Sequence, residues 1–116
     1  MAEKKPTLQE YKVDGTKIKV FVSADEWLEF ESDNWMFGEY MRFTKAVATE
    51  YMVIMLKRIV AWHIKDDVTG AWVEFNRDFL IDHLEELNIT AQKQTAMVTA
   101  YFRAYNIAST LETEKK

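Results

Sequence analysis

The apolar positions of this chain change period along its length. From Tyr11 to Val22 they alternate with polar ones: Tyr11 and Val13, then, past Asp14-Gly15, Ile18, Val20 and Val22 with lysines between. Alternation around Asp-Gly is the strongest short-range signal for a β-hairpin. It predicts strands near Glu10–Val13 and Lys17–Ser23, with Ile18, Val20 and Val22 facing the core and Lys17, Lys19 and Phe21 on the other side. Between Ala24 and Asn34 two patterns compete. Ser23 and Glu26 have the spacing of a capping box, whereas Trp27, Leu28 and Phe30 would also extend a strand, and the segment is read as an acidic loop or short helical turn. Helical spacing follows, opening at Asp33 or Asn34, either of which accepts first-turn amide hydrogen bonds. Phe37 and Met41 share one face of this helix, with Tyr40, Phe43 and Val47 beside them. The longest nearly apolar run, Ala46 to Ile64, then reads as a central helix. Met52, Val53, Ile54, Met55 and Leu56 make more than one of its faces apolar, so neighbours must cover most of its sides.

Past Ile64, the residues Asp66, Asp67 and Gly70 mark a turn. Trp72, Val73 and Phe75 form either a loop or a short strand against Trp62–Ile64, and Trp62 and Trp72 are expected to anchor the turn. A third helix opens at Asn76 or Asp78, carries Phe79, Leu80, Leu84 and Leu87 at helical spacing, and ends at Asn88. Thr90 caps a fourth, whose broad stripe comprises Gln94, Met97, Val98, Tyr101, Phe102 and Tyr105. The predicted architecture is α+β and predominantly α-helical: an N-terminal β-hairpin packed on about four helices. One globular domain over residues 10–108 is expected, between flexible tails at 1–9 and 109–116.

Composition narrows the chemistry. With 116 residues, 48% of them hydrophobic, the chain can bury a single core unaided. The absence of cysteine excludes disulfides, thiol catalysis and Cys-ligated metals. His63 and His83 have no nucleophile and orienting group in sequence context, and Asp66-Asp67 near His63 lacks the spacing of a calcium loop. Gly15, Gly38 and Gly70 are isolated and build no phosphate-cradling loop. The expectation is therefore a protein without catalytic residues, metal or cofactor. The amino end, MAEKKPTLQE, has no apolar h-region of a secretory signal. Glu50, Lys57, Arg58 and His63 interrupt the apolar run, which argues against a membrane span. A formal net charge of −4 disfavours nucleic acid.

What remains is protein recognition. The stripes of the central and fourth helices are wider than one buried face requires, so Met52 and Met55, with Tyr101, Phe102 and Tyr105, are the candidate partner-binding residues. They are expected on an exposed apolar surface used for self-association or a partner. A second candidate is an acidic-aromatic patch for a basic partner, in which Asp25, Glu26, Glu29, Glu31 and Asp33 interleave with Trp27, Phe30 and Trp35.

The hairpin at Asp14-Gly15, the run FGEYMRFTKA and the segment IVAWHIKDDVTGAWVEFNRDFLIDHLEEL together resemble the tail assembly chaperones of long-tailed, siphovirus-type bacteriophages. In that family an apolar pair plus tryptophan runs into an acidic Asp/Gly turn and then a Leu-rich helix. The corresponding positions here are Ile59, Val60, Trp62, Asp66, Asp67, Gly70, Val73 and Leu80 to Leu87. Trp72 and the Asn76-Arg77-Asp78 opening depart from the pattern. The resemblance implies a non-enzymatic protein of the host cytoplasm, absent from the mature virion, that binds the tape-measure protein and assists tail-tube protein polymerisation. Grooves lined by Met41, Met52, Met55 and Met97 would suit that role, with a homo-oligomer expected. It also implies that a longer, frameshifted product can begin near Glu114-Lys115-Lys116. The alternative is a small helical regulatory or nucleic-acid-binding module with Lys57-Arg58 and Arg103 as phosphate contacts.

Overall fold

Among the described residues, five antiparallel strands lie side by side in the order in which the chain makes them. The computed structural model describes the backbone of residues 11–114 and the side chains of residues 11–111, so the expected tail at 1–9, Glu10 and residues 115–116 lie outside the described residues.

The hairpin forms as its pattern predicts, between β1 (Tyr11–Asp14) and β2 (Lys17–Phe21). Its loop residues are Gly15 and Thr16, closed by the pair Asp14 and Lys17. Gly15 has φ +64° and Thr16 does not enter the left-handed region, the sign pattern of a type II′ turn with glycine in the first central position. Ile18 and Val20 are buried and Val22 packs partly against the core.

The next segment corrects the reading as a loop or helical turn: Trp27–Glu31 is a third strand, β3, paired with β2. Leu28 and Phe30 lie opposite Val20 and Ile18 and extend the buried row. Ser23 and Glu26 do interact, the Ser23 hydroxyl donating to Glu26 Oε1 at 3.0 Å, but in the turn that joins β2 to β3 instead of at the start of a helix. The Val22 amide donates to the Glu26 carbonyl at 2.9 Å across that turn.

Helix α1 (Phe37–Lys45) starts later than Asp33 or Asn34. Asn34 is left-handed at φ 65°. The Arg58 guanidinium holds the Asp33 carbonyl at 3.0 Å and also the Asn34 carbonyl, which keeps this segment out of the helix. Ala46 and Val47 are extended, with ψ of 152° and 172°, and separate α1 from α2 (Ala48–Arg58).

The expected central helix over 46–64 is overturned. After Arg58 the backbone turns extended at Ile59 (ψ 134°), and Ile59–Lys65 is strand β4, paired with β3. Its buried residues are Ile59, Trp62 and Ile64, an alternation interrupted by one extra residue where the register shifts opposite Glu29 and Phe30. Arg77 secures the helix-to-strand junction: its Nε donates to the Leu56 carbonyl at 2.9 Å and its Nη2 to the Ile59 carbonyl at 2.6 Å. These carbonyls lie at and just past the end of α2, where helix acceptors have no partner within the helix.

Strand β5 (Trp72–Val73) pairs with Lys65 and Ile64 of β4, and the Trp62 indole N–H donates to the Val73 carbonyl at 2.8 Å. The Asn76 side chain accepts the Phe79 amide at 3.1 Å and caps α3 (Arg77–Asp82). A 3-10 turn over Leu84–Glu86 follows. Thr90 Oγ1 accepts the Lys93 amide at 3.1 Å at the start of α4, Ala91–Glu114, which continues through Ser109 past its expected end.

Helix α4 packs on β2 and β3, and α2 on β4. Between helices and sheet lie Ile18, Leu28, Phe30, Met55, Leu56, Ile59, Ile64, Met97 and Tyr101, all fully buried. Burial stabilises each such side chain by about 1.5–3 kcal/mol. The predominantly helical domain carrying only a hairpin is thereby corrected to a five-stranded meander covered on one face by helices.

Candidate functional site

The five partner-binding candidates do not form a surface. Met55 and Tyr101 are completely buried and Met52 nearly so, because α2 and α4 turn these residues toward the sheet. Tyr101 stacks on Phe43 with ring centroids 3.8 Å apart. Burial and then the nearby Glu39 carboxylate, whose Oε2 is 3.4 Å away, push its phenol well above the ordinary tyrosine range. Phe102 and Tyr105 are half-buried, Tyr105 lying flat on Tyr40 at 4.0 Å and Phe102 edge-on to Phe43 at 5.3 Å. Of the methionine groove expected from Met41, Met52, Met55 and Met97, the last three are core and Met41 is half-buried. Of the phosphate contacts considered, Arg58 is engaged internally. It meets both oxygens of Glu39, its Nε to Oε2 and Nη2 to Oε1 each 2.9 Å, and lies over the Trp35 ring.

The acidic residues divide between structural work and the surface. Glu26 is buried, and with Asp67 it holds the Lys93 ammonium, 2.6 Å from Glu26 Oε2 and 2.7 Å from Asp67 Oδ1. Burial pushes the Glu26 carboxyl up, but hydrogen bonds from Lys93, the Lys65 amide and the Ser23 hydroxyl outweigh it and hold the group below its ordinary value. Lys93 and the Thr90 amide hold Asp67 low, and Lys93 is raised because Asp67 and Glu26 outweigh its desolvation. Asp66 accepts the Thr69 and Val68 amides and the Asn88 side chain. The Asp66-Asp67 turn thus fastens β4 to the start of α4, and among the described residues no group of three or more metal-ligating side chains converges.

Two features of the surface remain. The first is the sheet face opposite the helices, where every described outward residue is at least partly exposed. Cross-strand register aligns Phe21, Trp27 and His63 there, and Trp72 of β5 completes the row. His63 stacks on Trp72 at 3.6 Å and 16° and lies 5.7 Å from Trp27. Lys19 sits over Trp27 at 4.1 Å and Lys65 over Trp72 at 5.4 Å. Trp62 is the anchor expected of it; Trp72 instead is 49% exposed. Sequence reasoning missed this row because His63 falls on the outward side only if Ile59–Lys65 is a strand. The signal was the alternation of Trp62 and Ile64 about His63.

The second is a groove of about 510 Å³ between β1 and α4, with Tyr11 and Val13 on one side and Phe102, Ile107 and Leu111 on the other. Tyr11 and Val13 are 45% and 40% exposed. Among the described residues no helix is long and apolar enough to cross a membrane. Compared with protein-family models, curated proteins and solved structures, the chain matches none.

Proposed function

We propose that the chain is a non-enzymatic assembly factor that binds a protein partner through the uncovered sheet face, in the manner of the tail assembly chaperones it resembles. The partners implied by that resemblance are the tape-measure and tail-tube proteins, met in the cytoplasm of an infected cell and left out of the finished virion. The observation that carries the reading is the row of Phe21, Trp27, His63 and Trp72 on a sheet face that no helix among the described residues covers. Large amphipathic rings gathered on an open surface are the usual anchors of protein interfaces. Lys19, Lys65, Glu29 and Glu31 around them supply a mixed-charge rim.

The test is co-expression with tape-measure fragments and tail-tube subunits encoded in the same genome. The expected result is copurification that Trp72→Ala and Trp27→Ala abolish. No complex with either protein, or a complex indifferent to both substitutions, overturns the reading.

A second reading rests on Lys19 and Lys65 lying over tryptophan rings, an arrangement also used to stack single-stranded nucleic acid. Glu29 and Glu31 on the same face oppose a phosphate backbone. Salt-dependent binding of a labelled oligonucleotide, lost in Trp72→Ala, would favour it over the first.

A further inference from the structure

We infer that the free edge of β1 is a self-pairing surface, where two copies of the chain join antiparallel strands to make one continuous sheet. Among the described residues, strand β1 has a neighbour on one side only, and the opposite edge of the sheet, β5, is just two residues long. In a hairpin with a two-residue loop the closing pair is hydrogen-bonded and the bonding then alternates. Asp14 and Lys17 close the loop, so Lys12 bonds to Lys19, and the backbone N–H and C=O of Tyr11 and Val13 point away from β2. The same two residues turn their side chains to the groove against α4. An open backbone edge and exposed apolar side chains therefore coincide on one short strand.

Charge selects the occupant and its register. Lys12 stands opposite Lys19, a like-charge pair that destabilises the edge. With Val13 on a twofold axis, Val13 meets Val13 of the partner subunit as a hydrogen-bonded pair. Lys12 then lies opposite Asp14 of the partner subunit, twice over by symmetry, and Tyr11 comes beside the turn that begins at Gly15 of the partner subunit. Slipping the register by one residue turns Tyr11 and Val13 to the wrong face. Centring it on Lys12 sets two lysines against each other. The strand is thus complementary to itself in one register, as an isologous contact requires. This inference does not depend on the tail-assembly reading, since the row of Trp27 and Trp72 lies toward the other edge of the sheet.

Sedimentation equilibrium of the full chain tests it. The wild type is expected to be a dimer at micromolar concentration. Asp14→Lys should weaken it about tenfold, the equivalent of two ion pairs turned repulsive. The exchange Lys12→Asp with Asp14→Lys should restore it. Val13→Pro, whose lost N–H points away from β2, should give a folded monomer by circular dichroism. A monomeric wild type, or a dimer that Asp14→Lys and Val13→Pro both leave unchanged, overturns the inference. Partner copurification is measured on the same variants. A monomeric Val13→Pro that still binds its partner separates this inference from the proposed function.

Discussion

Trp72 lies flat on His63, with ring centroids 3.6 Å apart, while Trp62, one residue before His63, points to the opposite side of the sheet and is buried. Two tryptophans flanking one turn consequently carry different loads. Trp62→Ala removes a buried indole and its hydrogen bond to Val73, at an expected cost of about 3–5 kcal/mol. Trp72→Ala gives up a stacking contact at the surface, about 1 kcal/mol. Urea unfolding of the two variants checks the contrast, and equal losses would contradict it.

Lys93 lies between the carboxylates of Glu26 and Asp67 and pairs with both, with side-chain exposures of 10% for Lys93 and 7% for Glu26. Lys93→Met leaves a buried carboxylate without its counterion and is expected to cost about 3–5 kcal/mol. Adding Glu26→Gln and Asp67→Asn to it should recover most of that loss, since the uncompensated charges go too. Chemical denaturation of the single and triple variants distinguishes the two outcomes.

The same cluster sets a pH profile. Folded Glu26 and Asp67 are held below their ordinary values of 4.5 and 3.8. Their contribution is complete above those values and is lost as pH falls through the lower, folded ones. Lys93 is raised above 10.5, so its contribution is complete below that pH and disappears as pH rises through the folded value. Stability measured against pH should show a plateau between these limits, and Glu26→Gln should flatten the acid arm.

Arg77 reaches from α3 to two carbonyls, those of Leu56 and Ile59, on either side of the point where α2 becomes β4. Arg77→Ala is expected to cost about 2–3 kcal/mol, as charge-assisted hydrogen bonds are lost and acceptors are stranded. Arg77→Lys should restore only part, because an ammonium is a point donor and cannot span both oxygens as the guanidinium fork does. Thermal unfolding of the two variants measures the difference.

Local signals were legible where one residue type decides the backbone. Asp14-Gly15 predicts the hairpin, Thr90 and one of the two openings predicted for α3, Asn76, are helix caps, and Trp72 and Val73 pair with β4 as the strand alternative requires. The error lay in Ile59 to Ile64, where a buried strand directly continues an apolar helix. Periodicity alone does not separate the two. What stops α2 is tertiary: Arg77, eighteen residues beyond Ile59, holds the junction, and β3 supplies the other side of the ladder. That one misreading propagated to the site. With 46–64 taken as a helix, Met52 and Met55 looked like a surface stripe, and the row through Trp27, His63 and Trp72 had no face on which to form.

Because the strands are laid down in sequence order, a chain leaving the ribosome can add each one to the edge of the last, without waiting for a distant segment. The lid comes after them. Met97, Ala100, Tyr101, Ala104 and Ala108, which seal the inward rows of β2 and β3, all belong to α4, which follows all five strands in the chain. Until they emerge, Ile18, Val20, Leu28 and Phe30 remain wetted and sticky, so the interval between translating β3 and releasing α4 is when the protein is most exposed to aggregation.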